Sequence, residues 1–178
     1  MITLAQLLES RDRRAAHQRE LLRSFPSCTI VCLTVQTPGP EKRTPESLIV
    51  GGAGLAAVLD SFGSDLLSAQ VRDLDTGYEA YFALPLDALQ VKRICCDIED
   101  THPLGRLMDI DVIPASCADA QSLRPLGRED IGLQPCSCFL CDAPARECMR
   151  SRTHSYEEIA AWTSSKIKDY LSSSPANE

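Results

Sequence analysis

Two aspartates, Asp109 and Asp111, lie two residues apart in an otherwise apolar run that ends at Ile113. On a β-strand such residues leave the same face, so we expect the two carboxylates to lie side by side. Neighbouring carboxylates repel each other and are costly to remove from water, and a divalent cation relieves both effects. Carboxylate oxygens suit Mg²⁺, which takes its other ligands from water and substrate phosphates. The pair therefore predicts phosphoryl chemistry; the alternative is a solvent-facing edge strand with alternating aspartates.

Residues able to hold phosphate oxygens occur just before this pair and in an earlier loop. Gly105 allows a close backbone approach, and Arg106 offers a fixed cation. Lys42 and Arg43 follow the strand-ending run Pro38-Gly39-Pro40, where a loop could present both side chains to phosphate. For these two residues an ordinary basic turn is the alternative.

A Cys/His-rich segment, residues 136–154, has the spacing Cys-x₂-Cys-x₆-Cys-x₅-His at Cys138, Cys141, Cys148 and His154. A Cys-x-x-Cys turn can place two thiolates on one tetrahedral ion, so the spacing is compatible with a zinc site. A redox-active Cys-x-x-Cys and free buried cysteines are the alternatives. Arginines in the same segment would favour thiolates and could equally bind phosphate.

The chain has 178 residues, of which 44% are hydrophobic and 24% are charged, so we expect a single catalytic domain over residues 1–178. A net charge of −7 argues against nucleic-acid binding. The apolar runs look too short and interrupted for a membrane span, and we expect no membrane partner. Nine cysteines and an N-terminus unlike a signal peptide predict a cytoplasmic protein with free or metal-bound thiols.

The elements that must position these residues follow from hydrophobic spacing and capping signals. Helices are predicted over residues 3–24, 46–62 and 155–172; the first begins with a capping box of Thr3 and Gln6, and the last with Ser155 and Glu158. The strands are predicted over residues 28–36, 66–72, 78–84, 94–99 and 107–113. The fourth strand would bring Asp97 and Glu99 to one face, as candidates for a third metal ligand.

The segment His-Pro-Leu-Gly-Arg-Leu-Met-Asp-Ile-Asp-Val, residues 102–112, closely resembles the holo-citrate-lyase synthase family, also called apo-citrate lyase phosphoribosyl-dephospho-CoA transferase. The resemblance extends to residues 10–18, to residues 38–42 and to the cysteine segment, so it covers nearly the whole chain. Two departures stand out. Met108 occupies a position where the family commonly has Trp, and Cys136-Ser137 replaces a basic pair.

The resemblance implies a nucleotidyltransferase that moves phosphoribosyl-dephospho-CoA from 2′-(5-triphosphoribosyl)-3′-dephospho-CoA to a serine of the apo acyl carrier (gamma) subunit of citrate lyase, releasing pyrophosphate. It also implies, by analogy, a nucleotidyltransferase-like palm. The expected fold is therefore α+β, with a mixed, mostly antiparallel sheet, helices on one side of it, and helical N- and C-termini.

Residues and resemblance together suggest roles in this reaction. Asp109 and Asp111 would hold Mg²⁺, and Glu99 or Asp97 would complete the site or accept the serine proton. Phosphate oxygens would be held by Arg106, Lys42 and Arg11. His102 is a weaker candidate, and a packing role in a turn is preferred for it.

Other functions compatible with the sequence are the same transfer to a malonate decarboxylase-type carrier and a noncatalytic, zinc-stabilised assembly or binding module. An acidic carrier would need a local basic face on this acidic protein. The arginines of the first helix and the stretch of residues 146–152 are the candidates for it.

Overall fold

The computed structural model describes residues 2–118 and 123–173. These form an α+β fold of five α-helices and four strands. In chain order the elements are α1 (Leu4–Ser24), β1 (Thr29–Val35), α2 (Pro45–Phe62), β2 (Ser68–Leu74), β3 (Gly77–Leu84), α3 (Ala88–Thr101), β4 (Met108–Ile113), α4 (Ala145–Ser151) and α5 (Tyr156–Ser173).

The four strands form one sheet in the order β2-β3-β1-β4, with every neighbouring pair antiparallel. The predicted mixture of parallel and antiparallel strands is therefore wrong for the described residues. Strands β2 and β3 form the hairpin expected from the sequence, and β1 lies between β3 and β4. The aspartate-bearing strand β4 is an edge of the sheet.

The two faces of the sheet carry different layers, because alternate side chains point to opposite faces. One face contributes Val31, Phe82 and Ile110 to the main core, which α2, α3 and α5 cover. The other face carries a smaller core in which Leu21 and Leu22 of α1 pack against the sheet. Helices thus lie on both faces, so the prediction of helices on one side is wrong.

The predicted strand over residues 94–99 is part of helix α3. Asp87 caps the start of the helix, because its side chain accepts hydrogen bonds from the backbone N–H groups of Leu89 and Gln90. Its buried Val91, Cys95 and Ile98 follow the helical spacing i, i+4, i+7. The short apolar run could not be distinguished from a strand without this cap. Consequently Asp97 is exposed and Glu99 is buried, and the two do not share a strand face.

The capping boxes predicted for α1 and α5 are present, with Gln6 donating to Thr3 and Glu158 paired with Ser155. The stretch Pro45–Asp65 is long and apolar enough to cross a membrane by length and composition alone, contrary to the sequence-based expectation. It consists mainly of α2, whose Val50, Val58 and Phe62 are buried in the core.

Candidate active site

Two rows of mostly polar side chains cross the sheet face that α1 covers. The strand register aligns one residue from each strand in each row. The first row is Arg72, Glu79, Thr34 and Asp109, and the second is Gln70, Tyr81, Cys32 and Asp111. Because neighbouring strands lie about 4.8 Å apart, each row is about 14 Å long. The aspartates therefore stand at one end of a continuous polar surface.

The carboxylate pair has the shared face predicted from its spacing. Asp109 is exposed, and Thr34 Oγ1 lies 3.5 Å from its Oδ2. Asp111 is half-buried, and burial followed by the charge of Asp109 raises its pKa from 3.8 to about 6. The edge position and the exposure of Asp109 agree with the alternative of a solvent-facing strand. The raised pKa of Asp111 does not agree with that alternative, because a simple surface carboxylate keeps its usual pKa.

A buried carboxylate, Glu79, lies in the middle of this surface and is bound from two directions. Arg14 Nε of α1 donates to Glu79 Oε1 at 2.9 Å, and Tyr81 Oη donates to Glu79 Oε2. Burial alone would lower the pKa of Arg14, but the Glu79 carboxylate raises it above its usual value. Burial raises the pKa of Tyr81 as well, and burial raises that of Cys32 to about 12. Arg14 therefore stays charged, while the thiol and phenol beside it stay neutral.

A polar cluster holds α1 against the β2 side of the sheet. His17 Nε2 lies 3.2 Å from Gln70 Oε1, and its Nδ1 lies 3.0 Å from the Arg72 guanidinium. Next to this cluster is a cavity of about 410 Å³ between α1 and the β2–β3 hairpin. Its polar lining includes Ser10, Arg13, Arg14, Arg72 and Glu79.

Arg14 and Glu79 were not identified as site residues from the sequence. Among the first-helix arginines the sequence predicts phosphate binding only for Arg11 and places Arg14 in a docking face, yet Arg14 is bound to the sheet. A signal existed for Glu79, because a single charge in the run Tyr-Glu-Ala-Tyr-Phe-Ala-Leu of a buried strand is as unusual as Asp109 in its own run.

Arg11 is exposed on α1. Helical spacing puts it on the opposite flank of the helix from Arg13, whose flank lines the cavity towards β2. Arg11 thus belongs to the flank away from this cavity. This position is consistent with its predicted role at the phosphate chain.

Helix α3 closes the outer edge of β4, and this explains the placement of Glu99. Glu99 Oε1 accepts from the Ile110 N–H at 2.9 Å, and Lys92 Nζ donates to the Ile110 carbonyl at 3.2 Å. Glu99 Oε2 lies 3.7 Å from an Arg128 nitrogen. Burial raises the pKa of Glu99 even though this backbone bond opposes the shift. Both Glu99 oxygens are therefore engaged away from the polar face.

Gly105 is explained by packing. A Cβ at this position would overlap the backbone carbonyls of Ile98 and Glu99, so glycine allows the turn before β4 to approach the end of α3. His102 ends the same helix, and its Nδ1 accepts from the Leu104 N–H at 3.0 Å. Burial lowers the pKa of His102. This geometry agrees with the preferred packing role.

Two of the predicted phosphate ligands make contacts within the protein. The Arg106 guanidinium donates to the Ser137 carbonyl at 2.5 Å and lies over the ring of Phe139, so it is attached to the cysteine segment. Lys42 donates to the Thr37 carbonyl at 2.5 Å, and burial lowers its pKa. The contact of Lys42 is the one expected of a basic turn.

The four predicted zinc ligands converge. Cys138, Cys141, Cys148 and His154 place their ligand atoms within 4.8 Å of one another, the only such group of three or more metal-binding side chains in residues 2–118 and 123–173. Cys141 Sγ lies 3.5 Å from Cys148 Sγ and 3.3 Å from His154 Nε2. Zinc–sulfur bonds of about 2.3 Å in a tetrahedron require sulfur separations of about 3.8 Å, close to this arrangement. The cluster can hold a metal ion such as zinc.

The fold and site define a small α+β protein with a carboxylate pair suited to phosphoryl chemistry and a separate thiol cluster. The model of the apo-citrate lyase phosphoribosyl-dephospho-CoA transferase family, CitX, matches residues 2–170, and the chain belongs to this family. The family assignment made from residues 102–112 is thereby confirmed.

Named relatives agree with the family assignment. A probable apo-citrate lyase phosphoribosyl-dephospho-CoA transferase of Streptococcus pyogenes serotype M18 is 34% identical, covering 96% of this chain and 88% of the relative. The Escherichia coli O139:H28 transferase of the same name is 31% identical over 89% of this chain and 84% of the relative. Protein CitXG of Haemophilus influenzae is 32% identical over 89% of this chain, but the match covers 33% of that longer protein.

Proposed function

We propose that this chain transfers phosphoribosyl-dephospho-CoA from 2′-(5-triphosphoribosyl)-3′-dephospho-CoA to a serine of the apo acyl carrier subunit of citrate lyase, and that it is a nucleotidyltransferase. Membership of the family supports the reaction. The observation that carries the proposal is the pair Asp109 and Asp111 on one sheet face, the face on which Arg14 binds Glu79 two strands away. The serine oxygen would bond to the α-phosphorus as the bond to pyrophosphate breaks.

The donor set at this pair fits Mg²⁺. Two carboxylates on adjacent same-face positions supply protein ligands, and Mg²⁺ characteristically keeps waters and substrate phosphates as the remainder. The raised pKa of Asp111 is the expected property of a carboxylate whose balancing cation arrives with the substrate. When bound, Mg²⁺ would neutralise charge on the leaving pyrophosphate.

The positions of the other predicted site residues separate candidates for phosphate binding from residues with supporting contacts. Arg11, exposed on α1, and Arg106, three residues before Asp109 and attached to Ser137, are proposed to hold phosphate oxygens. Glu99 and Gly105 hold β4 against α3, and this placement favours a supporting role for both. Lys42 closes its own loop through Thr37.

The cysteine cluster is proposed to hold a structural Zn²⁺. Four protein ligands close the tetrahedron, as in structural sites, and leave no position for substrate. Metal analysis of protein purified without chelator should find about one zinc per chain, falling towards zero in Cys138→Ser. Cys136→Ser is the matched control, since Cys136 lies two residues from Cys138 but outside the cluster. An unchanged zinc content in Cys138→Ser would contradict this assignment.

The transfer is tested by intact mass spectrometry of the apo carrier after incubation with this protein, the triphosphoribosyl donor and Mg²⁺. We expect a gain equal to one phosphoribosyl-dephospho-CoA group, at least 100-fold slower with Asp109→Asn because a ligand of the pair is lost. Asp60→Asn, an exposed position on α2, is the matched carboxylate control. A gain only on a malonate decarboxylase-type carrier would change the carrier, and binding without any gain would favour an assembly factor.

A further inference from the structure

One nitrogen of the Arg14 guanidinium is bound to a side chain of the sheet. The Arg14 Nε lies 2.9 Å from Glu79 Oε1, and the Glu79 side chain is 4% exposed. Tyr81 Oη donates a hydrogen bond to the other carboxylate oxygen of Glu79. Within residues 2–118 and 123–173, the two terminal nitrogens of Arg14 make no hydrogen bond, and the side chain is 27% exposed. The guanidinium is fixed in direction while its terminal N–H groups remain available.

The position of Arg14 connects the cavity with the carboxylate pair. It lines the cavity between α1 and the β2–β3 hairpin. Glu79 and Asp109 both align with Thr34, so they lie two strands apart, about 10 Å between backbones. A polyphosphate chain that ran from the aspartates along this row would approach Arg14.

The carboxylate of Glu79 is difficult to explain by stability alone. Burying an ion pair has a desolvation cost that can equal or exceed its attraction, and an apolar pair of similar volume is often at least as stable. A sheet centre otherwise built of apolar and neutral side chains would tolerate such a replacement. The charged pair of Arg14 and Glu79 is explained if it serves to orient the Arg14 guanidinium for binding.

We propose that Arg14 is a phosphate-binding residue for the triphosphate of the donor, and that Glu79 and Tyr81 are positioning residues that aim it. The proposal rests on the proposed function for the identity of the ligand. It replaces the sequence-based view of Arg14 as part of a docking face for the carrier. A planar guanidinium with two parallel N–H groups suits two phosphate oxygens at once.

The test is calorimetric titration of the whole protein with inorganic tripolyphosphate in MgCl₂. Loss of a charge-assisted hydrogen-bonding pair should weaken binding by about 10- to 100-fold in Arg14→Ala, and Arg14→Lys should recover part of it. Arg124→Ala is the matched control, because Arg124 is also paired with an aspartate but lies on the surface. Circular dichroism confirms that each variant is folded.

Positioning is tested by chemical rescue. Added guanidinium chloride, at concentrations too low to unfold the protein, should restore tripolyphosphate binding to Arg14→Ala, since the ion can occupy the space above Glu79. It should fail to rescue Arg14→Ala combined with Glu79→Gln. A purely structural role for Glu79 would make rescue equal in the two variants.

Folded Arg14→Ala with wild-type affinity for tripolyphosphate would overturn the proposal, and so would a wild-type protein that does not bind tripolyphosphate at all. Failure of the transfer reaction with wild-type protein is a separate result. It would refute the proposed function, while the titration would still decide whether Arg14 binds phosphate. When transfer works, Arg14→Ala should raise the donor KM by a similar 10- to 100-fold factor, about that of the affinity loss.

Discussion

At the level of single residues, the site depends on carboxylates whose environments differ although their chemistry is the same. Asp109 lies in solvent, Asp111 is half-buried with a raised pKa, and Glu79 is buried with both oxygens bonded. The pair could be read from its Asp-x-Asp spacing because strand periodicity is local. Glu79 could not be placed from spacing, because its partner Arg14 is 65 residues away.

A first prediction concerns Asp111 in the absence of divalent cations. Because its folded pKa, about 6, lies above its ordinary value of 3.8, the native state binds more protons and stability falls as pH rises between about 4 and 6. Asp111→Asn should remove this fall and add about 1–3 kcal/mol at pH 7, with little change below pH 4. Urea unfolding at several pH values in EDTA measures it.

The control for this prediction is the effect of Mg²⁺ on the unfolding temperature. Mg²⁺ should raise the unfolding temperature of the wild-type protein at pH 7, since a ligand of the native state stabilises it, and should raise that of Asp111→Asn much less. If the free energy of unfolding changes with pH in the same way for both proteins in EDTA, the pKa of Asp111 is not raised in the folded state.

At the level of elements, the sequence predicted three of the five described helices and all four described strands, but not α3 or α4. Capping boxes and regular periodicity are local signals, and these located α1, α5 and the β2–β3 hairpin. The run at residues 94–99 fits a strand and a helix equally over so few residues, and the deciding Asp87 cap lies well before it. The arrangement of helices on both faces follows from contacts between distant residues, so no local pattern indicates it.

The edge contact of α3 on β4 gives a second prediction. Glu99→Gln can still accept the Ile110 N–H and should retain activity within a few-fold, whereas Glu99→Ala leaves that buried donor unpaired and should destabilise by about 1–3 kcal/mol. Transfer rates and chemical denaturation measure the two effects. A more than 100-fold loss in folded Glu99→Gln would instead support the catalytic role considered from the sequence.

The turn before β4 gives a third prediction, with an internal control. A Cβ at Gly105 overlaps two backbone carbonyls of α3, so Gly105→Ala should destabilise by about 1–3 kcal/mol. Gly52 is exposed in helix α2 with open space around it, so Gly52→Ala should stabilise by about 0.5–1 kcal/mol. Equal effects of the two substitutions in thermal unfolding would show that close packing at Gly105 is not limiting.

At the level of the whole molecule, the cysteine cluster and the sheet are connected through Arg106. This residue precedes β4 and binds the Ser137 carbonyl. Phe139, between Cys138 and Cys141, stacks on Trp162 of α5 with ring centroids 4.8 Å apart. Cys136-Ser137, which departs from the family pattern, contacts Arg106 through a backbone carbonyl, and this contact does not depend on the side chain. The other departure, Met108, is buried in the core beside Gly54.

These connections give a fourth prediction. Removing the metal with a strong chelator should lower the unfolding temperature by several degrees, because a native-state ligand is lost and the segment has few buried side chains of its own. Cys148→Ser should show a lower unfolding temperature without chelator and little further change with it. Cys136→Ser should respond to chelator as the wild type does; insensitivity of the wild type would exclude a stabilising metal.

The covering of the sheet by α1 has a further consequence for inactivation. The apolar contacts of this helix belong to the smaller of the two cores. Local opening has a lower free energy where fewer apolar contacts hold an element. Mild heat or limited proteolysis should therefore release α1, and Arg14 with it, from the polar sheet face while the opposite layer of the molecule remains intact. Catalysis would then fail before the spectroscopic signal of the sheet does.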